Sequence, residues 1–510
     1  MAKFIVDGSN DMSTVDLSTV ANGDVTTNTS SEVVIKATDG SIYTLTGDFS
    51  GGEGSTLPTS GTITSMVVVS GTGDAQSRYA INHIALDVTT FEHDVTNNNA
   101  TALFDTIFAK NDSFNLKSGV ENTVSGGTGN DQFQLGDTLS ANDSINGNGG
   151  TNTVILDGDY AGLTLSDTTL TNIDRLDLTG DNTYDITTAD GTVAANNTLV
   201  VDARGQTGTV SFDGSAETDG KFDFLLGSQA GSTVTGGEGN DTFHGGGVGA
   251  TLNGGGGNDN FIFGANFDGT DNIDGGAGTN VVHLMGDYSA GLTFGATSLE
   301  NIEQLDVHRG DSYDLTLNAG NDTAGNSLDV HGETLSSSES LTFDGSAVAG
   351  NLTLHGGSGA DTLIGGSGHN QFIGGTGADT MTAGSSIDNF IYNAVSDSTN
   401  ARYDTISGFD THQDHFVLPT EVTGIDSPVA TGSLSTATFN GDLTRDIGST
   451  ELGAHHVVEF TASSGSLAGD TFLIIDANGV AGYQGGQDYV IQITNAVHIA
   501  DLNMSDFTVS

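Results

Sequence analysis

The chain of 510 residues carries 66 acidic against 11 basic side chains, a formal charge of −55, which excludes nucleic acid and anionic membrane surfaces as partners. With 75 glycines, 3 prolines, no tryptophan and 35% hydrophobic residues, the composition lies outside the ordinary globular range yet short of collagen or a disordered tail, and points to a repeat protein. The absence of cysteine removes disulfides, thiolate nucleophiles and zinc–thiolate sites, and no run near 18 apolar residues is available to span a bilayer.

The first residues, Met1-Ala2-Lys3-Phe4-Ile5-Val6-Asp7, lack the apolar core of a Sec-type leader. Residues 1–104 contain strand-like runs at Ser31-Glu32-Val33-Val34-Ile35, Ser41-Ile42-Tyr43-Thr44-Leu45 and Met66-Val67-Val68-Val69, and predict a small β-rich domain. From about residue 105 to 395 a pattern GGxGxDxU, with U apolar, recurs. It occurs at 126–133 with Gly126, Gly129 and Asp131, at 236–243 with Gly236, Gly239 and Asp241, and at 254–261 with Gly254, Gly257 and Asp259. Three copies then follow in a row of nines: Gly356, Gly359 and Asp361; Gly365, Gly368 and Asn370; Gly374, Gly377 and Asp379. A weaker copy at 383–390 places Asp388 in the acidic slot, and degenerate copies at 147–154 and 275–282 carry Asn152 and Asn280 there.

Glycines with positive φ let a short turn curl and aim its carbonyl oxygens at a hard cation, while the aspartate adds a charged oxygen and the apolar residue starts a strand into the core. If two nonapeptides make one coil, turns 18 residues apart stack on one edge. Asp361 then pairs with Asp379, Asp241 with Asp259, and Asn370 with Asp388. Asparagine keeps the oxygen but loses the charge, so sites at Asn370, Asn152 and Asn280 should be weaker or empty.

These motifs resemble the RTX nonapeptide of bacterial secreted proteins, a calcium-binding β-helix repeat. The resemblance implies several Ca2+ ions, held by the glycines and acidic or amide residues named above. Over the nonapeptides lies a longer duplication: Thr171-Asn172-Ile173-Asp174-Arg175-Leu176-Asp177-Leu178 and Tyr184-Asp185-Ile186 return as Glu300-Asn301-Ile302-Glu303-Gln304-Leu305-Asp306-Val307 and Tyr313-Asp314-Leu315, offset by 313 − 184 = 129. Their alternation of apolar and polar residues is that of half-buried strands, and such mixed runs look like those of RTX-type bacterial surface-layer proteins. The expected fold class is all-β: a right-handed parallel β-solenoid over 105–395, a calcium β-roll with apolar-ladder coils, flanked by the N-terminal β-rich domain (1–104) and a C-terminal β cap (396–510).

The segments Tyr403-Asp404-Thr405-Ile406-Ser407-Gly408-Phe409-Asp410 and Asp414-His415-Phe416-Val417-Leu418, with Gly469 to Gly479 and Asp488 to Ile493, are similar to the C-terminal cap of serralysin-like secreted proteases. Asp506-Phe507-Thr508-Val509-Ser510 is similar to the uncleaved signals of type I secretion substrates. No histidine is followed by glutamate, so the HExxH of the protease is missing, and GxSxG and Walker motifs are missing too. His412, Asp414 and His415, or His455 and His456, are candidate transition-metal ligands. Asp476-Ala477-Asn478-Gly479 resembles the start of a calcium loop without the distal glutamate and reads as a turn. The expectation is a non-enzymatic, secreted, calcium-folded structural protein of a bacterial cell surface or matrix, associating with itself and with the type I secretion machinery, with a surface polysaccharide as a further partner, and without membrane insertion. The alternatives are an adhesin or glycan binder acting through residues 1–104, and an RTX exoenzyme.

Overall fold

The computed structural model describes residues 2–7, 10–11, 15–52, 54–70, 77–116 and 121–510; Met1 lies outside them. The chain divides into two compact units, residues 1–247 with 252–257, and 248–251 with 258–510. In both, short parallel strands stack coil upon coil, so the fold is an all-β parallel solenoid.

In the first unit, Asp24–Asn28, Glu32–Lys36, Ile42–Ser50, Ser60–Ser70 and Ser77–Asp87 form an antiparallel sheet whose last member pairs with Lys3–Asp7. Two helices follow, Val88–Thr96 and Ala100–Ile107, N-capped by the side chains of Asp87 and Asn99, which accept from the amides of Thr89 and Ala102. Lys3–Asp7 also pairs in parallel with Ser113–Asn115, the first rung of the solenoid. The open edge of that first coil is therefore covered by a strand that belongs to the antiparallel sheet.

Each later coil donates one inward apolar residue in register. Phe114, Phe133, Val154, Leu176, Val201, Phe224 and Phe243 form one column, and all are at most 1% exposed. Where the column is aromatic the rings stack, at 4.7 Å for Phe114 on Phe133 and 5.0 Å for Phe224 on Phe243. The second unit repeats this with Phe261, Val282, Leu305, Val330, Leu354, Phe372, Phe390 and Phe416. The column ends on Phe507, in a strand, Phe507–Val509, that pairs in parallel with His415–Leu418. A second edge is covered where Tyr489–Thr494 pairs with Asp404–Ser407 and continues antiparallel through Thr471–Ile475 to His456–Thr461. The helix Phe439–Asp446 packs Phe439 and Leu443 into the core beneath that sheet, with Ile447, Phe460, Phe472 and Ile474.

A uniform 18-residue coil was expected, and the structure corrects this. Among the described residues the glycine motifs keep it, from Asp361 to Asp379, from Asn370 to Asp388 and from Gly237 to Gly255. Between Asp131, Asn152 and Asp174 the steps are 21 and 22 residues, and from Asp379 to Asp404 and Asp388 to Asp414 they are 25 and 26. The ladder fixes the register of strands but not the length of the bends between them, so insertions collect at bends.

Candidate metal centres

The motif aspartates sit at the start of their strands, Asp388 as the first strand residue and the others immediately before it, and point inward. Asp131, Asp241, Asp259, Asp361, Asp379 and Asp388 are at most 2% exposed, as is Asn370. Each uses one oxygen to hold the coil before it: Asp131 Oδ1 accepts from the amide of Asp112 (2.8 Å), Asp241 Oδ1 from Phe222 (2.7 Å), Asp361 Oδ1 from Leu341 (2.7 Å), Asp379 Oδ1 from Asp361 (2.9 Å) and Asp388 Oδ1 from Asn370 (3.0 Å). Asp259 donates its own amide to Asn280 Oδ1 at 3.0 Å. The side chains thus form ladders along the turn edges, and the expected neighbours Asp361 and Asp379, and Asn370 and Asp388, are adjacent rungs.

The second oxygen carries the metal question. Oδ2 of Asp131, Asp361 and Asp379 is buried without a hydrogen-bond partner, a costly state for a carboxylate unless a cation is supplied. The first glycine of each motif frames that oxygen. A Cβ at Gly356 would sit 2.5 Å from the carbonyl oxygen of Gly374 and 2.6 Å from Asp361 Oδ2, and one at Gly374 would sit 2.5 Å from Asp379 Oδ2. The same cradle recurs at Gly236, between Asp241 Oδ2 and the Gly254 carbonyl, and at Gly126, between Asp131 Oδ2 and the Gly147 carbonyl. Hard oxygens converging from a carboxylate and from carbonyls of successive turns are the donor set of Ca2+.

Most motif glycines are needed for this close approach, not for positive φ as expected. Among the site residues only Gly129 and Gly257 have positive φ, at 123° and 95°, together with the second-position glycines Gly127, Gly255, Gly357 and Gly375. At Gly239, Gly359, Gly368 and Gly377 a side chain would run into the carbonyl of the preceding coil.

Burial without a cation pushes these carboxyls up, desolvation being the main cause throughout: Asp241 and Asp361 to about 6, Asp131 and Asp379 to about 7, and Asp388 upward as well.

Asn370 differs in kind. Its Oδ1 accepts from the Gly366 amide at 3.0 Å. Its Nδ2 donates to the carbonyls of Gly366 (3.2 Å) and Gly368 (3.0 Å) and to Asp388 Oδ1 (2.6 Å). The amide group takes the place of a cation among those oxygens. Asn152 and Asn280 do the same toward the carbonyls of Asn172 and Asn301, each at 3.0 Å. Asn370→Asp should therefore add a calcium requirement: about one more ion by calorimetry, and a less stable fold when calcium is chelated. An unchanged stoichiometry in that variant would contradict this account of the asparagine.

The ladders extend beyond the glycine motifs. Asp404 Oδ1 accepts from the amide of Asp379 and Asp414 Oδ1 from that of Asp388, both at 2.9 Å. Asp112 and Asp143 play the same part in the first unit, Asp112 toward Ala2 and Asp143 toward Asn122. Sequence reasoning missed them because they lack the glycine pair. What remains is the bare D-x-U of Asp404-Thr405-Ile406, Asp414-His415-Phe416, Asp112-Ser113-Phe114 and Asp143-Ser144-Ile145.

The candidate grouping of His412, Asp414 and His415 does not form. Asp414 is engaged in the ladder, while His412 stacks on His498 at 4.0 Å and both lie beside Asp410. His456 contacts Asp426 at 3.1 Å, and among the described residues neither it nor His455 joins a cluster of three ligands. The loop after Asp476 is a turn held by Asp476 Oδ1, which accepts from the amides of Asn478 (3.0 Å) and Gly479 (2.6 Å).

The chain matches the family description of the RTX calcium-binding nonapeptide repeat, in four copies, over residues 218–248 and 353–389. Neither the curated proteins nor the solved structures contain a match. The matched residues include the cradles of Asp241, Asp361 and Asp379, and their geometry agrees with the ion the family description names: the chain carries RTX calcium-binding nonapeptide repeats, and Ca2+ is the ion that their turns hold.

Proposed function

We propose that this is a secreted structural protein of a bacterial cell surface or extracellular matrix, without catalytic activity, that folds on meeting calcium and then assembles with itself. The observation that carries the first half is the set of buried, unpartnered oxygens on Asp131, Asp361 and Asp379. In calcium-poor cytosol these carboxylates and a charge of −55 work against the fold, which leaves a chain able to pass an export channel. Outside, calcium near 10⁻³ M suits weak extracellular oxygen sites, about the range of such modules, and its binding free energy becomes folding free energy. RTX repeat proteins are typically secreted, and the type I machinery is the exporter this reading assigns.

The surplus of surface carboxylates supports the second half, because the same ion bridges acidic faces of neighbouring molecules. A surface polysaccharide is the further partner. Among the described residues no helix is long and apolar enough to cross a membrane. The test is a calcium titration from zero to about 10 mM, a span bracketing those extracellular affinities, with far-UV circular dichroism and light scattering on one sample. A coil-to-β transition followed by growth in particle mass is the expected result. Folding without growth would remove the assembly role and leave a monomeric adhesin; no response to calcium would sink the whole reading.

A further inference from the structure

The outward face of the second unit carries a column that calcium chemistry does not use. His283, Asp306, His331 and His355 occupy successive rungs in direct register, with Asp329 and Glu333 beside the last two. The His331 and His355 rings stack at 5.1 Å, inclined by 22°. Glu333 Oε1 lies on their Nδ1 edge, 3.2 Å from His331 and 3.1 Å from His355. Asp329 lies on the other edge, with Oδ2 3.1 Å from His331 Nε2 and Oδ1 3.4 Å from His355 Nε2. Asp329 Oδ1 and His331 Nε2 are shut off from solvent, and their contacts across this edge lack hydrogen-bond geometry.

The duplication makes this arrangement specific to the second copy. At the offset of 129 residues that the paired strands share here, Arg175, Val200, Asp202 and Arg204 of the first copy become Gln304, Asp329, His331 and Glu333. In the first copy the charges are closed internally: Arg175 pairs with Asp177 at 2.6 Å and also with Asp202, which Arg204 holds at 2.7 Å. The second copy has lost both arginines and gained two histidines, His331 and His355, with two carboxylates around them. Permanent side-chain cations have been replaced by ligands.

We propose that His331 Nε2, His355 Nε2 and the Asp329 carboxylate form a binding site for a borderline divalent transition metal of the Zn2+ class, with one coordination position left to solvent. One ligand atom from each of Asp329, His331 and His355 lies within 4.8 Å of the others, with the two carboxylate oxygens 3.1 and 3.4 Å from the two Nε2 atoms; ligands about 2.0–2.2 Å from one tetrahedral ion stand roughly 3.3–3.5 Å apart, so small side-chain rotations close the three onto an ion. Glu333 is the positioning residue: a carboxylate on both Nδ1 atoms keeps their protons there and turns the Nε2 lone pairs toward Asp329, the carboxylate–histidine–zinc arrangement. Imidazole nitrogen discriminates against Ca2+, which takes oxygen ligands, so the two ions occupy different parts of the same coils. The half-exposed ligands, 22–43% for these three side chains, leave the ion accessible from solvent.

The test uses the full chain, first folded in saturating calcium and checked by circular dichroism, then titrated with Co2+ as a coloured probe. The expected result is a visible ligand-field band of tetrahedral intensity that Zn2+ abolishes. H331Q/H355Q should lose it, E333Q should weaken Co2+ about 10–100-fold, and H412Q, in the separate His412–His498 pair, should leave it unchanged. If the double variant does not fold, D329N and E333Q, at more exposed positions, decide alone. Absence of the band in the wild-type chain, or its persistence undiminished in H331Q/H355Q or in both single variants, would overturn the proposal without touching the calcium sites.

Discussion

Asp379→Ala should leave the chain unable to complete its β transition at calcium concentrations that fold the wild type. Two losses coincide at this residue. Oδ1 is the acceptor for the Asp361 amide, and a buried amide left without an acceptor costs about 1–3 kcal/mol. Oδ2 is the charged ligand framed by Gly374, and its removal leaves a turn with carbonyls alone. Asp379→Asn separates the two, since it keeps an oxygen for the Asp361 amide and, as at Asn370, offers an amide group to the surrounding carbonyls. The expected order in chelator is therefore Asn at least as stable as wild type and Ala the least. In saturating calcium the order becomes wild type, then Asn, then Ala. Calorimetry and denaturant titration with and without calcium check this; equal behaviour of the two variants would mean that Asp379 acts only as a charged ligand, and an Asn variant equal to wild type in both conditions would mean that it acts only as a hydrogen-bond acceptor.

The contrast between Asp379 and Asn370 also marks what could be read from the residues alone. GGxGxDxU puts its last residue in the core, so the burial of Phe372, Met381 and Phe390 follows from spacing, as does the stacking of Asp361 on Asp379. The bend lengths do not follow, because no ladder hydrogen bond constrains them, and the irregular coils around Asn152 and Asp404 were hidden for that reason. Asp404 and Asp414 continue the ladders without glycines and looked like ordinary cap residues. The histidine column was out of reach until the register was known: His283, Asp306, His331 and His355 stand 23 to 25 residues apart in sequence, and only parallel pairing brings them onto one line. One trace of it was visible, since aligning the two copies at 129 residues sets Glu333 against Arg204, a reversal of charge that a merely structural ladder has no need to make.

Proton uptake gives the second large effect: a lower pH favours the fold and opposes calcium binding to it. In the folded chain Asp131, Asp379 and Asp414 sit at about 7, Asp241 and Asp361 at about 6, each raised chiefly by desolvation, against about 3.9 in an unfolded chain. A carboxyl raised on folding contributes stability that is fully present below the unfolded value and is lost as pH rises through the folded one. Without calcium, then, lowering the pH from 8 to 5 should increase stability and with it β structure, with stability rising most steeply below about 6, where all five groups are protonated in the folded chain and still ionised in the unfolded one. Calcium, however, must displace those protons from the folded chain, so the concentration needed to saturate its sites should rise as the pH falls, approaching about tenfold per unit for each site that releases one proton. Calorimetry in two buffers of different ionisation enthalpy should register the release at pH 6 and find it nearly gone at pH 8. If the calcium-free spectrum stayed flat across this range, or calcium bound equally well at pH 6 and 8, the buried carboxylates would not be the groups that calcium and the fold share.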